Sequence, residues 1–310
     1  MNWMTAASRL IYTAGLRQTR AGRHLIARLN TIANRLARLL FLRDRQPVKV
    51  NGHKVLLGDR QLPSLAFINS FVHERYEIET CALLNSLITE GMTVFDVGAH
   101  VGHYTLLAAK RVGLTGHVYA FEPEPENYAL LVKNVELNGY SNITCVNMAI
   151  SDRTDLLTFY VSREGNDLHS LIDQSSLAGA TRIQVPAISL DEYSASAGLQ
   201  NIDLIKIDIE GAELLAVAGI SRLLEQSGRL LMILEFAPEL IRRGGKPPLC
   251  MLQSLLDNGL EVSAIEGAVS GPIVAKEDMH AVVSEAERRG AINLLCTKPG
   301  GRRMIRPTLT

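Results

Sequence analysis

The stretch from Thr93 to Arg111, TVFDVGAHVGHYTLLAAKR, places a run of β-formers, a turn with two glycines and an apolar-striped helix in immediate succession. An open α/β sheet uses this arrangement to present backbone N–H groups to a ligand. In the dinucleotide fingerprint GxGxxG, the second glycine lets the backbone approach a pyrophosphate closely, and here His100 fills that place. The Cβ of His100 argues against a pyrophosphate, so we expect the turn to hold a different ligand.

Strand and helix patterns alternate through the rest of the chain. The predicted strands cover residues 93–97, 117–122, 143–150, 203–208, 229–236, 260–265 and 291–298, and the predicted helices cover about 102–112, 125–138, 211–225 and 249–257. Such alternation requires parallel strands and right-handed crossovers. The sequence therefore predicts an α/β fold with an open, doubly wound sheet, and 47% hydrophobic residues in a chain of 310 are ample for its core.

An inserted hairpin is predicted at about 155–193, where two β-like runs, 156–162 and 181–193, are separated by a polar loop that contains His169. Near the carboxyl ends of the strands it would wall a substrate pocket. The alternative is a structural flap that covers a sheet edge.

The chain divides into four predicted regions. A helical arm covers residues 1–45, and a lead-in at 46–91 combines a hairpin around Asn51-Gly52 with a helical pattern. The predicted main domain covers 92–298, and a flexible tail covers 299–310.

The arm is basic and amphipathic. It carries nine arginines against the single acid Asp44, a net charge of +8, so the remaining residues sum to −8 in a chain of net charge +0. One apolar stripe runs through Leu25, Leu29, Ile32, Leu36 and Leu39. Three interpretations stay open: packing on the body or on a second copy, peripheral contact with an anionic membrane surface, or a mitochondrial transit peptide. Nucleic-acid binding is disfavoured because the body is acidic.

The apolar runs and the cysteines bear on localisation. No apolar run approaches the roughly 20 residues that span a bilayer. The four cysteines lie far apart and form no CxxC pair, which suggests neither a zinc ribbon nor a disulfide framework. We therefore expect a cytoplasmic protein, with peripheral membrane contact of the arm as an open alternative.

The pattern Asp96-x-Gly98-x-x-x-Gly102 suits a ligand whose ammonium faces the carboxylate and whose carboxylate faces the free N–H groups of the turn. S-adenosylmethionine is such a ligand. Glu122, at the end of the second predicted strand, is placed to accept both ribose hydroxyls. The residues thus indicate a site for S-adenosylmethionine.

Five segments carry a family resemblance over about residues 74–236. VFDVGAHVGHYT, AFEPEPENY, NMAISD, SLDEY and IDLIKIDIEGAELLAVAG resemble, in the same order, the signature segments of the FkbM-type S-adenosylmethionine-dependent methyltransferases. The resemblance implies a class I methyltransferase (Rossmann-like) fold, mostly parallel with an antiparallel last strand. It also implies methylation of a hydroxyl on a sugar, glycan, lipid-linked or polyketide-type acceptor.

The resemblance also implies cofactor-binding residues. It places Asp96, Gly98, Ala99 and Gly102 around the methionine end of the cofactor, Glu122 on the ribose, and Ala149 with Asp152 near the adenine. His100 lies in the same turn and stands where the family usually has asparagine.

The candidate catalytic residues follow from strand alternation and from the need to take a proton from an alcohol. Lys206 and Asp208 share a face of the predicted strand 203–208, Glu210 follows it, and Glu235 ends the next strand. We expect Asp208 and Glu235 to open into the same crevice, where one of them assists proton removal while Lys206 holds the acid. A purely structural ion pair of Lys206 and Asp208 is the alternative.

Three other readings of the acids and histidines stay open. The acids could instead bind sugar hydroxyls or hold a divalent cation, although we predict no metal. Glu213 at a helix start is explained by the helix dipole alone. His103 and His169 are further candidate bases.

Alternative functions are a nicotinamide-dependent oxidoreductase, a non-catalytic scaffold that has kept a methyltransferase fold, and an N-methyltransferase. His100 disfavours the first of these, and the scaffold alternative predicts no S-adenosylmethionine binding or binding without product.

Overall fold

The computed structural model describes residues 47–58, 71, 77–162, 169–172, 181–266 and 269–299. The basic arm predicted at 1–45, most of the helical pattern before residue 77 and residues 300–310 of the predicted tail lie outside the described residues.

The elements are numbered in chain order over the described residues. The strands are β1 (Val48–Val50), β2 (His53–Val55), β3 (Thr93–Val97), β4 (His117–Phe121), β5 (Ile143–Val146), β6 (Ala149–Ile150), β7 (Asp155–Val161), β8 (Thr181–Ile188), β9 (Leu204–Ile207), β10 (Leu231–Phe236), β11 (Glu261–Glu266), β12 (Val269–Ile273) and β13 (Ile292–Thr297). The helices are α1 (Ile78–Leu87), α2 (His103–Val112), α3 (Pro125–Asn138), α4 (Leu190–Ser196), α5 (Glu213–Ala218), α6 (Ser221–Gln226), α7 (Pro238–Arg243), α8 (Leu249–Asp257) and α9 (Met279–Arg289).

The main sheet has eight strands in the order β12-β11-β13-β10-β9-β3-β4-β5. Strands β5, β4, β3, β9 and β10 run parallel, and β13 is antiparallel to both β10 and β11. The predicted class I methyltransferase fold, mostly parallel with an antiparallel last strand, is confirmed.

The sheet is covered on both faces. One face packs against α4 to α9 through residues such as Phe95, Ile205 and Leu234. The other face packs against α1 and α2 through residues such as Val94 and Leu204. Neighbouring residues of a strand point to opposite faces, so Asp96, Lys206, Glu235 and Asn293 all lie on the face that α1 and α2 cover.

The inserted segment forms a separate small sheet in the order β6-β8-β7. Residues 190–193, which we predicted to continue the second β-like run, instead begin α4. The side chain of Ser189 accepts a hydrogen bond from the backbone N–H of Glu192 and so caps this helix.

Two other predicted elements are broken in the structure. The predicted strand 143–150 is two strands, because the Asn147 side chain donates to the carbonyl oxygens of Glu122 and Pro123 at 2.8 and 3.0 Å where the chain bends between β5 and β6. The predicted helix 211–225 is interrupted at Gly219, where a Cβ would lie 2.5 Å from the carbonyl oxygen of Ser151.

Strand β12 was not predicted. It is an edge strand that contains Gly271 and Pro272, residues that weaken a β pattern in sequence but that an edge position tolerates. Among the described residues, no helix has the length and apolar character needed to cross a bilayer.

Candidate active site

The turn after β3 is held by hydrogen bonds within the protein. The backbone N–H groups of Gly98 and Ala99 both donate to the carbonyl oxygen of Phe121, at 3.0 and 2.9 Å, and that of Gly102 donates to Ala99 at 2.8 Å. The expectation that these N–H groups face a ligand carboxylate is therefore wrong for these three residues. The turn serves instead to position its side chains and carbonyl groups.

Gly98 is required by a close approach of two chain segments. Its φ is +82°, and a Cβ on it would lie 1.8 Å from the carbonyl oxygen of Asp208. The backbone N–H of Asp208 also donates to the carbonyl oxygen of Val97 at 3.0 Å. The absence of a side chain at Gly98 thus allows the ends of β3 and β9 to meet.

Glu122 joins the turns that follow β3 and β4. Its two carboxylate oxygens accept the backbone N–H groups of His100 and Glu124, each at 2.9 Å. His100 has a φ of +50°, the left-handed conformation in which its N–H reaches Glu122. Burial raises the pKa of Glu122 to about 8. Each carboxylate oxygen keeps a further lone pair for a ligand hydroxyl.

An open cleft lies over these turns. It is lined by residues from the turns after β3, β4 and β9, from β6 and from the inserted sheet: Val97, Gly98, His100, Phe121, Glu122, Pro123, Asn127, Met148, Ala149, Ile150, Phe159, His169, Leu171, Asp208, Ile209 and Glu210. A mostly apolar lining with a few polar groups is typical of a cofactor site. We refer to it as the cofactor cleft.

Four of the predicted cofactor residues line this cleft: Gly98, His100, Glu122 and Ala149. The other four, Asp96, Ala99, Gly102 and Asp152, lie elsewhere.

Asp96 is buried below the cleft, where its Oδ2 accepts the Thr105 hydroxyl at 2.5 Å and its Oδ1 has no partner among the described residues. Ala99 packs in an apolar cluster under α3, and Gly102 precedes α2, where a Cβ would meet Leu131 at 2.8 Å. Asp152 forms a surface ion pair with Arg153 at 3.2 Å.

Lys206 and Asp208 form an ion pair at the floor of the cleft. The Nζ of Lys206 lies 3.0 Å from Oδ2 of Asp208 and 4.5 Å from the centre of the Tyr104 ring. Burial opposes the charge of Lys206, but Asp208, Asp96 and Glu77 outweigh it and raise the pKa of Lys206. Lys206 therefore stays an ammonium although its side chain is only 5% exposed.

The loop after β9 is held by Glu213. Its Oε1 accepts the backbone N–H groups of Ile209 and Gly211 at 3.0 and 3.1 Å, and burial raises its pKa to about 7. Glu210 has a φ of +55°, and its carbonyl oxygen accepts the Ser170 hydroxyl at 2.6 Å. Glu213 thus holds the backbone of this loop, and the favourable helix dipole is not the only reason for an acid at this position. The hydrogen bond from Ser170 joins the inserted segment to the same loop.

Glu235 faces a second cleft, of about 390 Å³, on the same edge of the sheet. It does not line the cofactor cleft, so the expectation that Glu235 and Asp208 open into one crevice is wrong, and the two acids line different clefts. Burial raises the pKa of Glu235 well above its usual value, and the charges of Asp208, Glu210, Glu213 and Glu77 raise it further.

The two candidate histidines are unsuited to accept a proton. Nδ1 of His169 accepts the backbone N–H of Ser162 at 3.0 Å, which leaves Nε2 as a donor, and burial lowers the pKa of His169 to about 3. Burial also lowers the pKa of His103 to about 3, and its Nε2 lies 3.3 Å from Sγ of Cys81. Both imidazoles are neutral at physiological pH.

Comparison with known proteins places this site in a family. A family model described as the methyltransferase FkbM domain matches residues 96–258. The chain belongs to this family of methyltransferases. The matched region holds every lining residue of the cofactor cleft together with Glu235.

Three curated relatives share this region with the chain. Methyltransferase 1 of Beauveria bassiana is 25% identical over 167 residues, which are 48% of this chain and 66% of that protein. The hexuronic acid methyltransferase AglP of Haloferax volcanii is 24% identical over 152 residues, which are 49% of this chain and 59% of that protein. The 31-O-demethyl-FK506 methyltransferase FkbM of Streptomyces tacrolimicus is 26% identical over 180 residues, which are 48% of this chain and 68% of that protein. The chain thus spans about two thirds of the length of these relatives or less.

S-adenosylmethionine is the cofactor of the FkbM methyltransferases, and the cofactor cleft fits it. Glu122 would accept the ribose hydroxyls, and the apolar residues Phe121, Met148 and Ile150 would hold the adenine. Asp208, which also lines the cleft, would present the carboxylate oxygen that does not pair with Lys206 to the ammonium group. Within the described part of the chain, no group of three or more His, Cys, Asp or Glu side chains could hold a metal ion.

Proposed function

We propose that the chain is an S-adenosylmethionine-dependent O-methyltransferase that acts on a hydroxyl of a small-molecule or glycan acceptor. The observation that carries the proposal is the placement of two acids at the carboxyl edge of the sheet. Asp208 lines the cofactor cleft, and Glu235 lines the adjoining second cleft. The names of two relatives agree with it, since one acts on a hexuronic acid and the other on a 31-O-demethyl compound.

An alcohol is a poor nucleophile while it keeps its proton, so the site needs a base. Asp208 is committed to an ion pair with Lys206, whereas Glu235 has no ion-pair partner among the described residues. Burial and the neighbouring acids raise the pKa of Glu235, so its carboxylate binds a proton more tightly than an ordinary one, as a general base must. We therefore assign to Glu235 the role of the general base that takes the proton of the acceptor hydroxyl. Asp208 has a positioning role.

The bound cofactor supplies an electrophilic methyl group on a sulfonium. In methyl transfer to an alcohol, Glu235 would accept the proton of the acceptor hydroxyl and later release it to solvent. The products are a methyl ether and S-adenosylhomocysteine. Lys206 and Tyr104 keep Asp208 in one orientation through the reaction.

The test is the release of S-adenosylhomocysteine from the full chain with a panel of sugar and polyol acceptors. With an acceptor that the wild type turns over, Glu235→Gln is expected to lower kcat at least 100-fold while the cofactor Kd changes less than about threefold. Asp208→Asn is expected to lower kcat less, because its side chain can still accept a hydrogen bond from Lys206. A matched control is Glu239→Gln, since Glu239 lies in the first turn of α7, in an exposed pair with Arg243.

Two results would contradict this proposal. Binding of S-adenosylmethionine without product from any acceptor would favour the scaffold alternative. Turnover of Glu235→Gln at the wild-type level would move the base to another residue.

A further inference from the structure

The β1–β2 hairpin has one apolar face and one basic face. Val50 and Val55 are buried and pack with the apolar cluster that α2 and α3 form, whereas Lys49 and Lys54 are exposed. The two lysines are directly opposite each other in the register of the strands. Like charges at such a pair destabilise a hairpin, so stability alone does not explain the basic face.

The hairpin is fixed on the body of the protein. The side chain of Asn138, at the end of α3, accepts the backbone N–H of Lys54 at 2.9 Å and donates to its carbonyl oxygen at 2.7 Å. Nε2 of His53 lies 2.8 Å from the Tyr140 hydroxyl. These contacts use the backbone of Lys54 and leave its side chain exposed.

The end of α2 adds two more basic residues. A Cβ on Gly52, in the hairpin turn, would lie 3.8 Å from Nζ of Lys110, and the next residue, Arg111, is also exposed. Neither lysine of the hairpin, nor Lys110, forms an ion pair with another described residue. Because α2 and α3 start at the carboxyl ends of β3 and β4 and end before the amino ends of β4 and β5, these residues lie at the edge of the sheet opposite to the two clefts.

Two exposed leucines lie at the ends of the same helices. Leu114, in the loop between α2 and β4, is 89% exposed, and Leu137, in the last turn of α3, is 39% exposed. The side chain of Asn142 donates to the carbonyl oxygens of Ala109 and Gly113 at 2.9 and 2.7 Å, so the ends of α2 and α3 lie side by side. Leucines beside basic residues are typical of a surface that enters a lipid headgroup layer.

We call this set the basic surface: Lys49, Lys54, Lys110, Arg111, Leu114 and Leu137. Its four basic residues have two acids nearby, Glu90 beside Gly113 and Glu136 before Leu137, which gives a net charge of +2. Outside the arm the chain sums to −8, so a positive surface is a local exception. The arm at 1–45 carries +8 and joins the body next to this surface, because β1 begins at Val48. An anionic partner would attract the arm and the basic surface together.

We infer that the basic surface and the arm together bind an anionic phospholipid bilayer. The lysines and Arg111 lie against the anionic headgroups, and Leu114 and Leu137 enter the headgroup layer. A nucleic acid would be attracted by the same charge, but it offers no apolar layer for the leucines. The two clefts at the opposite edge of the sheet stay open to the aqueous phase. The inference does not depend on the proposed function.

The experiment measures binding of the full chain to lipid vesicles by flotation. One set of vesicles contains phosphatidylcholine alone, and the other contains about 30% phosphatidylserine. Trp3, the single tryptophan of the chain, reports through a blue shift of its fluorescence whether the arm enters the lipid. We expect binding to the anionic vesicles and not to the neutral ones, weakened about tenfold or more when salt rises from about 0.1 to 0.5 M.

The double variant Lys49→Glu, Lys54→Glu tests the hairpin. It should lower the partition coefficient on anionic vesicles about tenfold or more, because both attractions to the headgroups become repulsions. The double variant Lys246→Glu, Lys276→Glu makes the same change in net charge at exposed lysines elsewhere in the fold and should stay within about threefold of the wild type.

A second pair of variants tests the leucines. Leu114→Ser should lower the partition coefficient about threefold or more, because it removes an apolar side chain from the headgroup layer. Leu156→Ser is the control, since Leu156 is 60% exposed but lies in the inserted sheet. Circular dichroism checks that every variant is folded.

Four results would overturn the inference. Equal binding to neutral and anionic vesicles would remove the electrostatic basis. Wild-type binding by the hairpin double variant would show that the basic surface does not contact lipid. Tighter binding to a DNA duplex than to anionic vesicles would indicate a nucleic acid as the partner. A dimer in light scattering that the hairpin double variant dissociates, without vesicle binding, would show that the basic surface binds a second copy of the chain.

Discussion

Nζ of Lys206 lies 3.0 Å from Oδ2 of Asp208, and Lys206 is also the direct neighbour of Asp96 across β9 and β3. One buried ammonium thus lies between a carboxylate of the cofactor cleft and a carboxylate of the core. Glu77 adds a third negative charge to its surroundings, on the same face of the sheet as Tyr104. This row of charges connects the cofactor cleft to the second cleft.

Replacement of Lys206 by methionine should destabilise the protein strongly. The variant keeps the length of the side chain but leaves Asp96 and Asp208 without their cation, and breaking a buried pair costs about 3–5 kcal/mol. Urea unfolding at pH 7 measures the loss. Lys246→Met at an exposed position is the control, and a loss below about 1 kcal/mol for Lys206→Met would contradict the account.

Gly98→Ala should be severely destabilising. The added methyl group would lie 1.8 Å from the carbonyl oxygen of Asp208, and φ at this position is +82°. We expect a loss of more than about 3 kcal/mol in the free energy of unfolding, since the ends of β3 and β9 must separate. Gly228→Ala, where nothing lies within 4 Å of the new Cβ, should change stability by less than about 1 kcal/mol. Equal effects of the two substitutions would show that the two chain ends do not meet as described.

The turn that contains Gly98 shows how far the sequence could predict the site. The strand, turn and helix at 93–111 predicted the position of the cofactor cleft, and Glu122 was found because it ends the next parallel strand. The reason why position 98 must be glycine could not be predicted, because it is the close approach of the carbonyl oxygen of Asp208, which is 110 residues later in the chain. The expectation of free backbone N–H groups in the turn failed for a similar reason. The carbonyl oxygen of Phe121, on the next strand, accepts two of these groups, and the sequence does not show that contact.

The site residues that the sequence did not identify have a feature in common: their positions depend on contacts between distant segments of the chain. The inserted segment was expected to wall a pocket, and Phe159, His169 and Leu171 line the cofactor cleft; which of its residues do so could not be predicted, because it depends on how the small sheet folds over the cleft. Glu77 precedes a helix start, where an acid is unremarkable, and its importance appears only when Tyr104 and Asn293 converge on it. By contrast, strand alternation was enough to place Lys206 and Asp208 together.

Cofactor affinity should depend on pH through Glu122. Its carboxyl has a pKa of about 8 in the free protein because it is buried, and the ionised form is the better acceptor for ribose hydroxyls. Binding at pH 6.5 must therefore release a proton, and affinity should rise with pH up to about 8. Calorimetry in two buffers of different ionisation enthalpy measures this release.

Glu122→Gln should abolish this contribution to the proton release. Protons released by the cofactor itself are the same for both proteins, so they cancel when the proton release of Glu122→Gln is subtracted from that of the wild type. Glu126→Gln, on the exposed side of α3, is the control. Equal proton release in wild type and Glu122→Gln would show that Glu122 does not change its ionisation on binding.

The stability of the fold should fall with pH through Glu213. Its pKa is about 7 in the folded protein against about 4.5 in the unfolded chain, so the folded state holds the proton more tightly. The stabilisation is complete below pH 4.5 and is lost as pH rises to about 7, which corresponds to about 3 kcal/mol at 1.36 kcal/mol per pH unit. Urea unfolding of the wild type and of Glu213→Gln at pH 5 and pH 8 measures the difference, with the exposed Glu225→Gln as control. A wild type that gains stability over this range relative to Glu213→Gln would reverse the predicted sign.

The most direct test of the central claim is a calorimetric titration of the full chain with S-adenosylmethionine and, separately, with NADH. The account predicts one S-adenosylmethionine per chain with a micromolar Kd, at least tenfold weaker binding to Glu122→Ala, and no heat from NADH. Binding of NADH, or S-adenosylmethionine affinity that Glu122→Ala does not change, would contradict it.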